Sequence, residues 1–291
     1  MIWAFNYASV KAINELLETH DLALTKRFGQ NFLINESVTK KIAFTLGDIK
    51  DKSVWEIGAG IGALTKELLL SEAVVTSFEI DRGFCKILKE EAFKDLSNFR
   101  LIEGDVLKTL VKLFKEEGRP DYVCGNLPYN VGSIAIANLI EMGCFADTMI
   151  FTLQKEVAQR MEATVGSKLY NPLSILVQVY YEVQTLFMIK PTAFYPSPKV
   201  DSATIKLTKR ENSLVEESLQ TLFFRLVNEL FANRRKTIRN NFLLGTLIKD
   251  YSEQDFLDAL KKCFIEPTRR SETLSIKELR EIALAFPRIN P

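Results

Sequence analysis

Asn126-Leu127-Pro128-Tyr129, preceded by Gly125, ends a short β-rich run at Tyr122–Cys124. Proline fixes the turn and removes a backbone donor, so the Asn126 side-chain oxygen and a backbone carbonyl, that of Leu127, are left to accept hydrogen bonds from one incoming amino group. Tyr129 supplies a face on which a base can stack. This set suits the exocyclic amine of adenine, whose lone pair is delocalised into the ring. Two acceptors on its N–H bonds draw the nitrogen toward tetrahedral geometry and aim the lone pair at an electrophilic methyl, a displacement governed by positioning and electrostatics. No histidine base is required, because the methylated, ammonium-like nitrogen loses its proton to water; His20 is the only histidine in the chain. The plainer alternative is a strand-ending turn, since Asn and Pro are frequent turn residues.

Three upstream strand ends build a site beside this one. Glu56-Ile57-Gly58-Ala59-Gly60-Ile61-Gly62 lies between a β-rich run at Val54–Ile57 and a helical stretch from Ala63. Glycines there allow a tight turn and let backbone amides approach a ligand, although a plain strand-to-helix turn reads the same. Glu79 ends the next strand, where a carboxylate accepts from ribose hydroxyls. Asp105 follows the third strand and suits the amino group of a bound adenine, and Val106 offers its ring an apolar contact. Acidic residues after strands are also common turn formers, and Asp81 reads equally as a helix N-cap. A nicotinamide cofactor fits these three ends as well, because a glycine turn also holds a pyrophosphate. The fourth strand, with Asn126, favours methyl transfer from S-adenosylmethionine.

The elements that must position these residues follow from periodicity. β-like runs at Val54–Ile57, Val74–Phe78, Phe99–Ile102, Tyr122–Cys124 and Met149–Leu153 alternate with helical stretches at Ala63–Leu70, Arg82–Phe93, Leu107–Glu116 and Ser133–Glu141. That alternation predicts an α/β, doubly wound, Rossmann-like domain with a parallel sheet. Val183–Ile189 and Ala203–Leu207 flank Pro191 to Pro198 and predict a hairpin-like edge of the same sheet. Beyond Thr208 the period is helical throughout, at Glu216–Phe231, Arg234–Phe242, Glu253–Cys263 and Ile276–Ala285. The expected organisation is a methyltransferase domain over residues 1–208 and a smaller all-helical, RNA-binding domain over 209–291.

Composition narrows the classes further. Of the 291 residues 47% are apolar, enough for one sizeable core and a smaller one, and a net charge of +1 excludes an indiscriminate polyelectrolyte. Nucleic-acid contacts must then be local. Arg234, Arg235, Lys236 and Arg239 concentrate positive charge, and with Arg235 and Arg239 on one helical face they suit phosphates; a solvated face is the plainer alternative. Lys26, Arg27, Arg269 and Arg270 extend the patch if the fold gathers them. The four cysteines show no metal spacing, so no metal and no disulfide framework is expected. The start of the chain is unlike a signal peptide, and no stretch is long enough to span a bilayer. The expected setting is cytoplasmic, without membrane contact.

Taken in order, Phe28 to Leu33, Glu56 to Gly62, Glu79 to Asp81, Gly104 to Val106, Asn126 to Asn130, Gln154 to Ala158 and Phe194 to Ala203 resemble the ribosomal RNA adenine dimethyltransferase family, over most of the chain. The bacterial small-subunit branch is the nearest in wording. The resemblance implies dimethylation of two adjacent adenosines near the 3′ end of 16S RNA, in the immature small subunit, by a monomer. It also implies an S-adenosylmethionine site that includes Asn31, Leu33, Gly58, Glu79, Asp105 and Asn126, and a target base held between Tyr129 and Phe194. Ala59 stands where the family usually has proline, and Trp55 where a smaller aliphatic is usual. Ser271 replaces a frequent proline, which predicts a looser loop. Residues 1 to about 20 form an extension to which the sequence assigns no role. The competing readings are 23S RNA methylation by the antibiotic-resistance branch, a DNA adenine methyltransferase, and a non-catalytic ribosome assembly factor.

Overall fold

A computed structural model describes residues 2–24, 30–128 and 131–287. The five parallel strands fall where the β-rich runs are: β2 (Ser53–Ile57), β3 (Val74–Glu79), β4 (Phe99–Glu103), β5 (Tyr122–Asn126) and β6 (Thr148–Gln154). They belong to a seven-stranded sheet of order β4-β3-β2-β5-β6-β9-β7, in which β7 is Tyr181–Ile189 and β9, Ser202–Lys209, runs antiparallel to β6. The two late runs therefore do complete the same sheet. Strand order reverses between β2 and β5, which opens a crevice at the carboxyl ends of those strands, where open α/β sheets bind ligands.

The helices α3 (Ala63–Leu70), α4 (Arg82–Ile87), α5 (Val106–Glu117) and α6 (Gly132–Glu141) connect the parallel strands. Asp81 does cap α4, accepting from the Gly83 and Phe84 amides, and α4 continues into a π-helical turn at Leu88–Ala92. Ahead of the sheet lie α1 (Val10–Thr19), β1 (Phe32–Leu33) and α2 (Glu36–Thr45). β1 pairs antiparallel with β8 (Phe194–Tyr195) in a separate two-stranded ribbon. Cys85, Cys124 and Cys144 are buried, and burial holds their thiols well above the usual range, as inert core residues.

The chain forms two compact units, residues 1–158 with 182–209, and residues 159–181 with 210–291. The expected single cut after residue 208 differs from this in one segment. α7 (Lys155–Glu162) follows β6, and α8 (Pro172–Tyr180) sits in the second unit because Tyr170, Ile175 and Val179 are buried in one core with Phe223, Leu226 and Leu230. That core is completed by α9 (Glu217–Leu230), α10 (Ile238–Leu244), α11 (Glu253–Lys262) and α12 (Ile276–Ala285). Ser271 is fully buried and its hydroxyl donates to the Leu230 carbonyl at 2.7 Å. Serine thus ties the loop where the missing proline predicted loosening.

Phe264 follows α11 with φ +57 and is 96% exposed, whereas the other described non-glycine residues at positive φ are all acidic. A bulky side chain in the left-handed region costs about 1–2 kcal/mol, and here no burial offsets it. Phe264→Gly is expected to raise unfolding free energy by about 0.5–1 kcal/mol after the entropy cost of glycine, read as a higher urea midpoint at unchanged slope.

Candidate active site

One cavity at the switch point is walled by Asn31, Leu33, Gly58, Glu79, Asp105, Val106, Asn126, Leu127 and Pro128. The structure therefore gathers every residue assigned to the cofactor and most of those assigned to the reaction. Gln30, Phe32, Ile61 and Ile80 also line it, and none of them is assigned a role by spacing or periodicity. Gln30 lies inside the quoted Phe28–Leu33 motif; its amide donates to Asp81 at 3.0 Å, linking the loop to the start of α4. Tyr129 lies outside the described residues.

Phe194 stands apart from the cavity. Its ring is 3% exposed and packs in the core with Leu33, Ile189 and Ala193. In antiparallel register Phe194 faces Leu33, so the ring underpins the cofactor strand and presents no face for a base to stack on. The expected sandwich of Tyr129 and Phe194 is thus not formed on the Phe194 side.

The floor of the cavity is the glycine turn. Gly58 and Ala59 donate to the Phe78 carbonyl at 2.8 and 3.2 Å, which folds the end of β2 back over β3. Gly62 starts α3 at φ +92, and a Cβ there would sit 2.7 Å from the Phe93 ring. Gly62→Ala is accordingly expected to cost about 1–3 kcal/mol of stability through overpacking and strain, measured by chemical unfolding.

Two carboxylates sit under this turn. Glu79 accepts from the backbone amides of Gly60 at 2.7 Å and of Ile80 and Asp81 at 2.9 Å each. Burial pushes its carboxyl above the usual range, and those three donors pull it back. Each carboxylate oxygen can take more than one donor, so capacity remains for ribose hydroxyls. Glu56 is fully buried, and its Oε2 accepts from Thr65 Oγ1 at 2.6 Å and Ser77 Oγ at 2.7 Å. Burial raises its carboxyl to about 7, against the pull of Ser77 and Thr65.

The folded state binds the Glu56 proton more tightly than the unfolded chain, so this group penalises folding increasingly as pH rises from about 4.5 to about 7, and the penalty is constant above that. Glu56→Gln keeps an acceptor for both hydroxyls and carries no charge. It is expected to flatten the pH dependence of stability between pH 5 and 8, compared by urea unfolding of both proteins across that range.

Asp105 caps α5, accepting from the Leu107 amide through Oδ1 at 3.1 Å. Its second oxygen is the acceptor available to a ligand amine. At the reaction end, Asn126 Nδ2 donates to the Asn31 backbone carbonyl at 2.8 Å. That bond fixes which way the amide faces: with the nitrogen committed, Oδ1 is the atom left to accept from a substrate amine. The Leu127 amide donates to the Thr152 carbonyl at 3.1 Å, and the Val131 and Gly132 amides donate to the Pro128 carbonyl, so backbone bonds hold both sides of the turn.

The basic segment is organised differently from expectation. Thr237 caps α10 by accepting from the Asn240 amide, so the helix begins at Ile238 and Arg234, Arg235 and Lys236 occupy the preceding turn. Arg235 and Arg239 therefore do not share a helical face. Arg239 is paired with Glu253 at 2.6 Å and Arg269 with Glu278 at 2.6 Å, whereas Arg234, Arg235 and Lys236 are exposed and form no ion pair among the described residues. Lys26 and Arg27 lie outside the described residues.

The sequence matches the ribosomal RNA adenine dimethylase family over residues 22–285. The chain belongs to this family. Relatives include the ribosomal RNA small subunit methyltransferase A of Treponema denticola, 40% identical over 93% of this chain and 92% of that protein. The protein of the same name from Borreliella burgdorferi is 38% identical over 96% of this chain and 94% of its own length. Among solved structures, a dimethyladenosine transferase from Plasmodium falciparum superposes with a TM-score of 0.73 at 26% identity, covering 86% of this chain and 95% of that one. A 23S rRNA methyltransferase, ErmE, shares the fold at a TM-score of 0.65 and 23% identity, over 88% of this chain and 99% of that one.

Membership makes the protein an RNA adenine methyltransferase, and methyl transfer in this family calls for S-adenosylmethionine. The cavity's chemistry suits that cofactor. The Glu79 and Asp105 carboxylates match ribose hydroxyls and an adenine amine, and Ile80 and Val106 are apolar lining residues against which a purine ring would fit. Gly58 leaves open the space a side chain would take, since a Cβ there would meet nothing nearer than 3.8 Å. Among the described residues no helix is long and apolar enough to cross a membrane.

Proposed function

We propose that this protein dimethylates the N6 amines of two adjacent adenosines near the 3′ end of 16S ribosomal RNA, within the immature small subunit in the cytoplasm. The observation that carries the chemistry is the 2.8 Å bond from Asn126 Nδ2 to the Asn31 carbonyl, which leaves Oδ1 as an aimed acceptor. Bound S-adenosylmethionine supplies an electrophilic methyl group. Asn31, Leu33, Gly58, Glu79, Asp105 and Val106 hold it: Glu79 takes the ribose hydroxyls, Asp105 the adenine amine, and Val106 the ring. Asn126 Oδ1 and the Leu127 carbonyl each accept one N–H of the target amine. Its lone pair then leaves conjugation with the ring and faces the cofactor side of the cavity. Tyr129 stacks on the target base, and such a contact is worth about 1–3 kcal/mol.

The second unit positions the RNA. Arg234, Arg235 and Lys236 contact phosphates without reading sequence, and Arg239, already neutralised by Glu253, contributes little. The small-subunit target is favoured over the 23S target because relatives at 38–40% identity over nearly their whole length carry the small-subunit name. Primer extension on 16S RNA from unmodified subunits treated with enzyme and cofactor tests the site of action. Cofactor-dependent stops at two neighbouring adenosines near the 3′ end are expected, because dimethylated N6 cannot pair. Stops elsewhere, or none, would refute the assignment.

A further inference from the structure

The amino-terminal extension is built onto the first unit through several independent contacts. The Trp3 amide donates to the Ala92 carbonyl at 3.1 Å, and His20 Nε2 lies 2.9 Å from Glu91. Leu22 covers Gly83, where a Cβ would come within 2.2 Å of it. Ile13, Leu16 and Leu17 of α1 are buried in one cluster with Phe32, Ile61 and Phe84. A side-chain bond also ties this extension to β8: Tyr195 donates its hydroxyl to Asn14 Oδ1 at 2.7 Å, across 181 residues of sequence.

Tyr195 stands opposite Phe32 in the β1–β8 ribbon, and the Ile34 amide extends the pairing by donating to the Ala193 carbonyl at 2.9 Å. Asn31, immediately before β1, supplies the carbonyl that orients the Asn126 amide. From the extension to the acceptor of the substrate amine the path is therefore continuous: Asn14 to Tyr195 by a side-chain bond, Tyr195 to Phe32 by strand pairing, Phe32 to Asn31 by the chain, and Asn31 to Asn126 by a bond again. A two-residue strand pair is too short to hold its own position, and side-chain anchoring at one end supplies what the ladder lacks.

We infer that Asn14 and Tyr195 are positioning residues for methyl transfer: their bond sets the β1–β8 ribbon, and through the Asn31 carbonyl it sets the angle at which Asn126 receives the target amine. This gives the amino-terminal extension a role in catalysis, and it rests on the amine-orienting role proposed for Asn126. Small displacements at a reacting centre carry large rate costs, so the effect should appear in kcat with little change in folding.

The test uses the full chain with Asn14→Ala, Asn14→Asp, Tyr195→Phe and the double variant Asn14→Ala/Tyr195→Phe. Amide hydrogen exchange of residues 30–34, calorimetric binding of S-adenosylmethionine, thermal melting and single-turnover methyl transfer to unmodified small subunits are measured on each. Asn14→Ala and Tyr195→Phe should each slow transfer by about tenfold and speed exchange in 30–34, without a matching fall in melting temperature. The double variant should lose no more than either single one, as expected for two partners in one bond. Asn14→Asp, which keeps an acceptor for the tyrosine hydroxyl, should restore most of both. Wild-type exchange and rate in Asn14→Ala and Tyr195→Phe, losses that multiply in the double variant, or losses that track melting would each overturn the inference. If wild-type enzyme transfers no methyl, the proposed function fails, whereas exchange in residues 30–34 still decides whether the bond sets the ribbon.

Discussion

Asn126→Ala is expected to lower kcat for methyl transfer by about 10²–10³-fold, the usual cost of removing one preorganised hydrogen-bonding group from a reacting centre. The amide does two things at once: its nitrogen is spent on the Asn31 carbonyl at 2.8 Å, and its oxygen is thereby aimed. Alanine removes both, and the target amine then keeps its lone pair in the ring. Asn126→Asp separates the two contributions. A carboxylate retains acceptors but cannot donate to Asn31, and places negative charge against that carbonyl; transfer should fall between wild type and the alanine variant. Single-turnover transfer at saturating cofactor and subunit reads both. An alanine variant within about threefold of wild type would remove Asn126 from the chemistry, since a group acting in the transition state lowers kcat and kcat/KM together.

Glu79→Ala should weaken S-adenosylmethionine binding by roughly 30- to 1,000-fold, from the loss of about 2–4 kcal/mol in hydrogen bonds to a charged group. The carboxylate also receives the amides of Gly60, Ile80 and Asp81, so its removal leaves three backbone donors seeking partners and loosens the glycine turn. A stability loss of about 1–3 kcal/mol should accompany the binding loss. Glu79→Gln, with one acceptor oxygen in place of two, should lie between. Calorimetric titration with the cofactor and urea unfolding of the free protein measure the two effects separately. Undiminished cofactor binding in Glu79→Ala would place the ribose elsewhere.

The parallel sheet and its covering helices were legible in the sequence because β2 to β6 and α3 to α6 are long enough to show their periods, and α3 and α12 have the expected bounds. The cavity was legible because three strand ends carry acidic residues or glycines that the switch point requires. What escaped detection depends on distant partners. β1 and β8 have two residues each, too few for any period, and their pairing spans more than 160 positions. The resemblance assigns Phe194 to the target base, and only the ribbon shows it packed beside Leu33 in the core. The segment 159–181 carries α8 between two strands of the sheet, and the packing of Ile175 and Val179 in one core with Phe223 and Leu226 places it in the second unit. The basic stretch was misread by one cap. Thr237 stops α10 short of Arg235, a choice between neighbouring capping residues that the helical period does not make. Asn14 carried no signal at all, since its partner lies 181 residues away.

Methylation of adenosine in the small subunit is the activity on which every residue role above depends. It is tested most directly by supplying S-adenosylmethionine labelled in its methyl group, with enzyme, to unmodified small and large ribosomal subunits in parallel. Label is expected in small-subunit RNA alone, recovered on digestion as N6,N6-dimethyladenosine. Label in large-subunit RNA, or tight binding to small subunits with no label transferred, would contradict it.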